Sequence, residues 1–342
     1  MTNELAIKVS MTELANAADT AAAAGIFTKH SNERSENTRR AQRADLAIMA
    51  QYLSTMMADA PTADDLHTMP SAWRGVSWGI VAGMVASMQR DGYSAASVAR
   101  ALATVKRFAK LAFAAGAIDQ TNHALITTVT APNGKAAKQL DAQRSAAGVA
   151  TRRSKKRSAP TTITSAQRTA LLSQPDTAQG RRDAVILALL IDHGLRVSEV
   201  ADLQVTDVDL AADTLHFYRR KVDQWQTHAM TDVSRKALSA WMATDAPAIG
   251  ALLRGSFKDG SLTGAGMSTS AIYARVAELA RRAGIDARVS PHDLRHDWAT
   301  SAAAGGSDVF ALRDAGGWAS LNMPSRYVAA SKVANEKVTL KR

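Results

Sequence analysis

The sequence predicts a mainly α-helical protein of two domains: an all-helical bundle, then a mostly helical domain carrying one small three-stranded antiparallel sheet. Three observations predict it. Apolar residues of the first half recur at steps of three and four, the spacing of a helix face. Short β-prone runs separated by turn residues cluster in the second half, between Val205 and Met230. Between the halves, residues 144–162 hold six basic residues and no acidic one, with Gly148, Pro160 and several serines, which is linker composition. At roughly 100–200 residues per domain, 342 residues suffice for two cores.

Residues 1–33, rich in Ala, Thr and Asn, are read as a flexible tail with at most a short helix. The bundle occupies 34–143. Its first helix starts behind Asn37 as N-cap and sets Leu46, Met49, Leu53 and Met56 on one face. A second, Ser71 to Gln89, is apolar almost all round and belongs in a core. A third follows Ser94, carries the stripe Val98, Leu102, Val105, Phe108 and Ala112, and stops at Gly116. Beyond the linker, the second domain covers 163–342. It opens with Ser165 to Leu172, then an apolar helix from Asp183 to Ile191, then a short one with Ser198 as N-cap. Strands are expected at Val205–Leu210, Thr214–Arg219 and Gln226–Met230, with turns at 211–213 and 222–225. Helices follow at Asp232–Met242, Ser268–Ala283, His292–Ala304, Ser307–Ala315 and after Tyr327.

The charge balance narrows the function. Lys and Arg number 42 against 31 Asp and Glu, a net charge of +11, so an anionic partner is expected, nucleic acid first. No apolar run approaches the roughly 18 residues of a membrane span, and the N-terminus lacks a secretory signal, so a cytoplasmic protein is expected. The absence of cysteine excludes disulfides, thiolate nucleophiles and Cys-based metal sites. Basic residues gather on two helices of the bundle, Arg39, Arg40 and Arg43 on one and Arg100, Lys106, Arg107 and Lys110 on the other. Each cluster reads either as a solvated face or as a phosphate contact; two in one small bundle favour the second. The linker adds Arg144, Arg152, Arg153, Lys155, Lys156 and Arg157, either a soluble tether or a wrap for a polyanion.

Nucleotide-binding glycine loops, the GxSxG elbow and HExxH are all missing, so neither cofactor nor metal is expected. What remains is a set of polar residues in apolar settings. Arg196 follows a buried helix in LIDHGLRVSEV, and a buried arginine needs an anion, for which Glu199 is at hand. His292 and Arg295 stand three apart in SPHDLRHDWAT. Trp318 follows Gly316-Gly317, and Tyr327 lies nine residues later. Taken singly, each is as well explained by packing or a plain ion pair.

In combination and order, GLRVSE, a hairpin lysine, HDLRH, GGW and the tyrosine resemble the tyrosine site-specific recombinases, the phage integrases. SENTRRAQRADLAIMAQYL also resembles the opening helix of that family's core-binding domain, so the resemblance spans about residues 34–342. RDAGGWASLNMPSRYV resembles the Cre-like subgroup, which has Trp where most members have His. Asp297-Trp298, where Thr-Phe is frequent, is a departure expected to alter packing only.

The resemblance implies a C-shaped clamp on double-stranded DNA and a metal-free, ATP-free reaction. Tyr327 would be the nucleophile, forming a covalent 3′-phosphotyrosine. Arg196 and Arg295 would grip the phosphate, with Glu199 behind the first. His292 and Trp318 would add hydrogen bonds, and Lys221, at the end of the second strand, would be the general acid with a buried ammonium. It further implies a homotetramer on two sites, monomer or weak dimer off DNA, with the C-terminal helix 328–340 exchanged between protomers. Accessory proteins fit such a system, and the short leader leaves no room for an arm-binding domain. Two rivals stand beside strand exchange: a type IB topoisomerase-like nicking and closing enzyme, and a DNA-binding protein without catalysis.

Overall fold

A computed structural model describes residues 10–132, 134–149, 160–257 and 259–330. The chain divides into two compact units, residues 1–157 and 158–342.

In the first unit α1 (Met11–Asn32) replaces the expected tail. Ser10 and Glu13 form a reciprocal capping box that starts it, and Phe27 and His30 set their rings edge-on to Phe108. Its early turns are alanine and polar residues, so only its end carries a core signal. The next helix, α2 (Glu36–Ser54), is capped by Ser35 rather than Asn37, whose side chain instead accepts from Arg40. Leu46, Met49 and Leu53 are buried as expected, whereas Met56 lies past the helix end and is exposed. The expected second helix is broken. After α3 (Ala63–Thr68), a 3-10 turn at Pro70–Trp73 sends the Trp73 indole N–H to the Leu66 carbonyl, and Gly75 turns with φ +80°. Only then does α4 (Trp78–Arg90) begin. α5 (Ala95–Ala114) buries the whole predicted stripe behind its Ser94 cap. α6 (Gln120–Thr128) and α7 (Gly134–Ala146) complete the unit. The linker therefore starts later than residue 144: Arg144 is buried and donates to the carbonyls of Tyr93 and Gln89.

The second unit begins with α8 (Ser165–Leu172) and α9 (Ala178–Ile191). The latter starts earlier than its apolar run, where the Thr177 hydroxyl caps it by accepting from the Gly180 N–H, and its polar Arg182 and Asp183 are buried as an ion pair, with Arg275 also on Asp183. α10 (Val197–Asp202) is capped by Arg196, not Ser198: the Arg196 backbone N–H donates to the Glu199 carboxylate at 2.8 Å. The first half of the expected first strand is a 3-10 turn, because Asp207 ties back to the Gln204 N–H. Only β1 (Val208–Asp209) remains extended. It pairs with β2 (Thr214–Arg219), which pairs antiparallel with β3 (Gln224–Ala229) in the order β1-β2-β3. The hairpin turn is 220–223, with Asp223 at φ +53°. α11 (Asp232–Thr244) follows. A second hairpin, β4 (Arg254–Ser256) with β5 (Leu262–Gly266), has no counterpart in the sequence reading, since its glycine-rich stretch lacks alternating apolar residues. α12 (Thr269–Arg282), α13 (Pro291–Ala304), α14 (Val309–Gly316) and α15 (Asn322–Ala330) close the unit. Tyr327 thus sits inside a helix rather than ahead of one. The expected exchanged helix, 328–340, falls almost wholly outside the described residues.

The core of this unit is built on α9, buried over Val185–Ile191, against Leu215, Phe217, Leu238, Trp241 and Leu279. A smaller cluster of Ala299, Ala303, Leu312 and Tyr327, flanked by Trp298 and Trp318, joins α13, α14 and α15. No described helix is long and apolar enough to cross a membrane.

Candidate active site

The site forms where α14 ends. Gly317 takes φ +56°, a left-handed conformation that glycine adopts without penalty. Its N–H bonds the Asp314 carbonyl, and the Trp318 N–H bonds that of Arg313, a Schellman closure. The carbonyls of residues 314–317 still have acceptor capacity, and a helix C-terminus carries partial negative charge, so it attracts cations.

Three guanidiniums answer. Arg196, leading into α10, donates to the Gly317 carbonyl at 2.8 Å and pairs with Glu199 at 2.7 Å. Arg295, one turn into α13, donates to the carbonyls of Gly316 and Gly194. Arg219, at the end of β2, donates to Gly316 at 2.7 Å and Ala315 at 2.6 Å, and lies 3.5 Å from Glu199. Gln226 on β3 takes the Asp314 carbonyl. The glycines make these approaches possible: a Cβ on Gly317 would overlap Arg219, one on Gly316 the Trp318 ring, and one on Gly194 the Trp298 ring.

The electrostatics follow from burial. One carboxylate, Glu199, stands among three cations, two of them almost fully buried. Burial, and then Arg196, push Arg295 down to about 9. Burial also pushes Arg219 down to about 10, against the pull of Glu199. Both stay charged at neutral pH, so the cluster keeps a positive excess that only main-chain carbonyls offset. Such a cluster favours an entering anion. Beside it, His193 and His228 are held neutral by burial, at about 4 and about 3.

Tyr327 is buried against His296, with ring centroids 5.0 Å apart, and Trp318, at 5.8 Å. Burial raises its phenol above the ordinary value, and Arg295 opposes that rise. The Arg295 guanidinium lies 4.7 Å from the Trp318 ring centroid. Arg196, Glu199, Arg295, Trp318 and Tyr327 are therefore gathered in one place. His292 stands exposed in the first turn of α13, three residues ahead of Arg295. Lys221 is not the buried ammonium expected: it is exposed in the hairpin turn. It lines a groove of about 520 Å³ with Arg219, Gln226, Gly317 and Trp318. Asp297 pairs with Arg168 at 2.6 Å, and Trp298 stacks near Trp318, so this departure does fall on packing.

The sequence reading missed Arg219 as part of the site. Strand parity carried the signal, since Leu215, Phe217 and Arg219 share the inward face of β2. Among the described residues, no group of three or more His, Asp or Glu is arranged to hold a metal.

The predicted contacts of the bundle are partly committed elsewhere. Arg43 pairs with Asp64 at 3.2 Å, Arg100 with the buried Asp45 at 3.0 Å, and Lys106 donates to the Thr127 carbonyl. Arg40 and Arg107 are exposed, and Arg39 is half-buried. Arg152, Arg153, Lys155, Lys156 and Arg157 lie outside the described residues.

Residues 161–333 match the phage integrase family. The chain is 27% identical over 322 residues to tyrosine recombinase XerD of Xanthomonas axonopodis pv. citri (strain 306), covering 87% of this chain and 97% of that protein. It is 28% identical over 286 residues to XerD of Proteus mirabilis, covering 80% and 77%. In fold it is similar to the Tn1549 transposon integrase in complex with transposon right end DNA, with TM-score 0.59 and 15% identity over 89% of this chain and 94% of that one. It is likewise similar to a lambda integrase dimer bound to a COC′ core site, with TM-score 0.59 and 16% identity over 98% and 85%.

Proposed function

Because the chain belongs to the phage integrase family, we propose that Tyr327 cleaves a specific double-stranded DNA and passes the strand to a second site. The protein is a tyrosine recombinase, and its activity is site-specific recombination through a tyrosine. The observation that carries the residue assignment is the buried excess of guanidinium charge at the end of α14, packed beside a buried tyrosine.

The Tyr327 phenol gives up its proton to water as its oxygen attacks the scissile phosphorus, and the bond to the 5′-oxygen breaks. A 3′-phosphotyrosyl bond stores the energy of the broken ester, so a 5′-hydroxyl from another strand reseals it without ATP. Charge building on the non-bridging oxygens meets Arg196 and Arg295, whose forks match a phosphate better than they match single carbonyls. His292 and the Trp318 indole N–H add donors, each worth roughly 3 kcal/mol in comparable sites. Lys221, exposed on its turn, protonates the leaving 5′-oxygen once DNA covers the groove.

DNA is the partner, and exposed Arg40 and Arg107 with the basic linker are the proposed phosphate contacts of the first unit. Relatives that are themselves recombinases favour strand exchange over nicking and closing. A homotetramer on two sites is the assembly that the family resemblance implies. A Cre-like grouping rests on Trp318 alone; the curated relatives named above are Xer recombinases.

The test is covalent capture. The protein is incubated, with EDTA, with a nicked duplex library carrying a randomised core, and SDS-stable adducts are sequenced and peptide-mapped. Adducts at Tyr327 on one enriched sequence, lost in Tyr327→Phe while binding persists, are expected. Adducts on any sequence, with relaxation and no joined products, would favour the topoisomerase-like reading. Tight binding with no adduct would leave a DNA-binding protein.

A further inference from the structure

We infer that Arg219 is a positioning residue of strand cleavage: it fixes the hairpin that carries Lys221 against the turn that carries Trp318 and holds Arg295. The inference rests on the proposed function above.

Four observations carry it. First, Arg219 is fully buried, yet it bonds no side-chain acid at hydrogen-bond distance; its nearest carboxylate, on Glu199, is 3.5 Å away. Its two terminal nitrogens go to the Ala315 and Gly316 carbonyls, across 96 and 97 residues of chain, and one of them also lies 3.4 Å from the His228 Nε2 on β3. Second, the Gly316 carbonyl also accepts from Arg295, so one oxygen fixes the relative placement of the two guanidiniums. Third, Gln226 on the partner strand takes the Asp314 carbonyl, so both strands of the hairpin grip consecutive residues of α14. Fourth, the Gly317 Cα lies so close to the Arg219 side chain that a Cβ would collide with it.

These contacts tie the general acid and the phosphate clamp into one unit. Lys221 is two residues beyond Arg219, on an exposed turn with only its strand to place it. Trp318 is one residue beyond the clasped turn. A long buried cation reaching two carbonyls is a costly way to close a hairpin, because its removal from water is offset by neutral acceptors and by one carboxylate, Glu199, that it shares with Arg196. An apolar residue of the same length would pack there and would fix neither position.

The experiment uses the full chain and the duplex recovered by covalent capture with the unaltered protein. Single-turnover cleavage is measured at saturating DNA for Arg219→Met, Arg219→Lys and Gln226→Ala, beside thermal melting and DNA affinity. A second substrate carries a neutral methylphosphonate at the scissile position, which removes the charge that Arg295 and Arg196 stabilise. Arg219→Met is expected to lower the cleavage rate about 100-fold with DNA affinity unchanged, the scale of a displaced catalytic group. Arg219→Lys, which reaches one carbonyl, restores part of the rate, and Gln226→Ala shows a smaller loss of the same kind. On the methylphosphonate the defect of Arg219→Met shrinks by about tenfold, because the misplaced clamp is no longer needed. Equal defects on both substrates, tracking the melting temperature, would make Arg219 structural and overturn the inference. If Arg219→Met does not fold, Gln226→Ala decides alone by the same comparison. An unaltered rate in both Arg219 variants would also overturn it. No adduct with the unaltered protein would instead overturn the recombinase assignment of Tyr327, and this inference with it.

Discussion

Arg295 and Arg219 donate to the same oxygen, the carbonyl of Gly316, from α13 and β2 respectively. Two buried like charges on one acceptor repel, and the arrangement holds because Glu199 stands 3.5 Å from Arg219 and pairs with Arg196. The geometry depends on the absence of side chains at 316 and 317. Gly317→Ala places a Cβ into Arg219 on a left-handed backbone, and Gly316→Ala drives Trp318 off its seat. Each substitution is expected to cost about 2–3 kcal/mol. Urea denaturation checks the cost. Cleavage should fall more than stability explains, because the displaced groups are Arg219 and Trp318.

Lys221 makes the opposite prediction. It is exposed on its turn, so Lys221→Ala should change stability by less than about 0.5 kcal/mol. If it is the acid for the 5′-oxygen, the variant loses cleavage on ordinary DNA and recovers it when that oxygen is replaced by sulfur, a leaving group that needs no proton. Covalent adduct formation on the two substrates measures this. An equal loss on both would remove Lys221 from the acid role.

Much of this site was legible because its chemistry is local in sequence. GLRVSE places Arg196 and Glu199 within one turn, and HDLR places His292 and Arg295 within another. The helix stripe Val98 to Ala112 was legible because each residue of it is buried. What escaped was set by long-range contacts. Arg219 looks like any surface arginine beside another until its carbonyl partners, nearly a hundred residues away, are in place. The hairpin of β4 and β5 lacks an apolar pattern in part because two of its glycines lie close to neighbouring atoms: a Cβ on Gly255 would meet Thr263, and one on Gly266 would meet Ala251. The caps at Ser35 and Arg196 were misread because helix ends depend on backbone donors that a residue pattern does not display.

The two neutral histidines beside the site set an acid limit. His193 and His228 stack with centroids 5.7 Å apart, and burial lowers them to about 4 and about 3 from an ordinary 6.5. Arg219 and Arg295 also oppose the charging of His228, while Asp192 weakly favours that of His193. The unfolded chain binds these protons first. Their contribution is therefore complete above about pH 6.5 and is lost as pH falls toward 4, by about 1.4 kcal/mol per pH unit for each imidazole at most. Melting temperature should drop steeply between pH 6.5 and 4.5. His193→Gln should flatten that slope by about one proton, and an unchanged slope would mean His193 is protonated in the folded protein.

The N-terminal helix gives a prediction that separates a packed element from a tail. Phe27 is 3% exposed, and its ring meets Phe108 edge-on at 5.7 Å, while His30 meets the same ring at 5.4 Å. Phe108 also touches His67 and Trp73, so it is the shared centre of α1, α3, α5 and the 3-10 turn between α3 and α4. Phe27→Ala removes one wall of that centre and should cost about 3 kcal/mol, the usual price of deleting a buried aromatic ring. Leu14, 58% exposed on the same helix, should tolerate alanine within about 0.5 kcal/mol. Chemical denaturation of the two variants in the full chain tests the pairing. Equal, negligible effects would return residues 11–32 to the status of a tail, because only a docked helix makes the two positions differ.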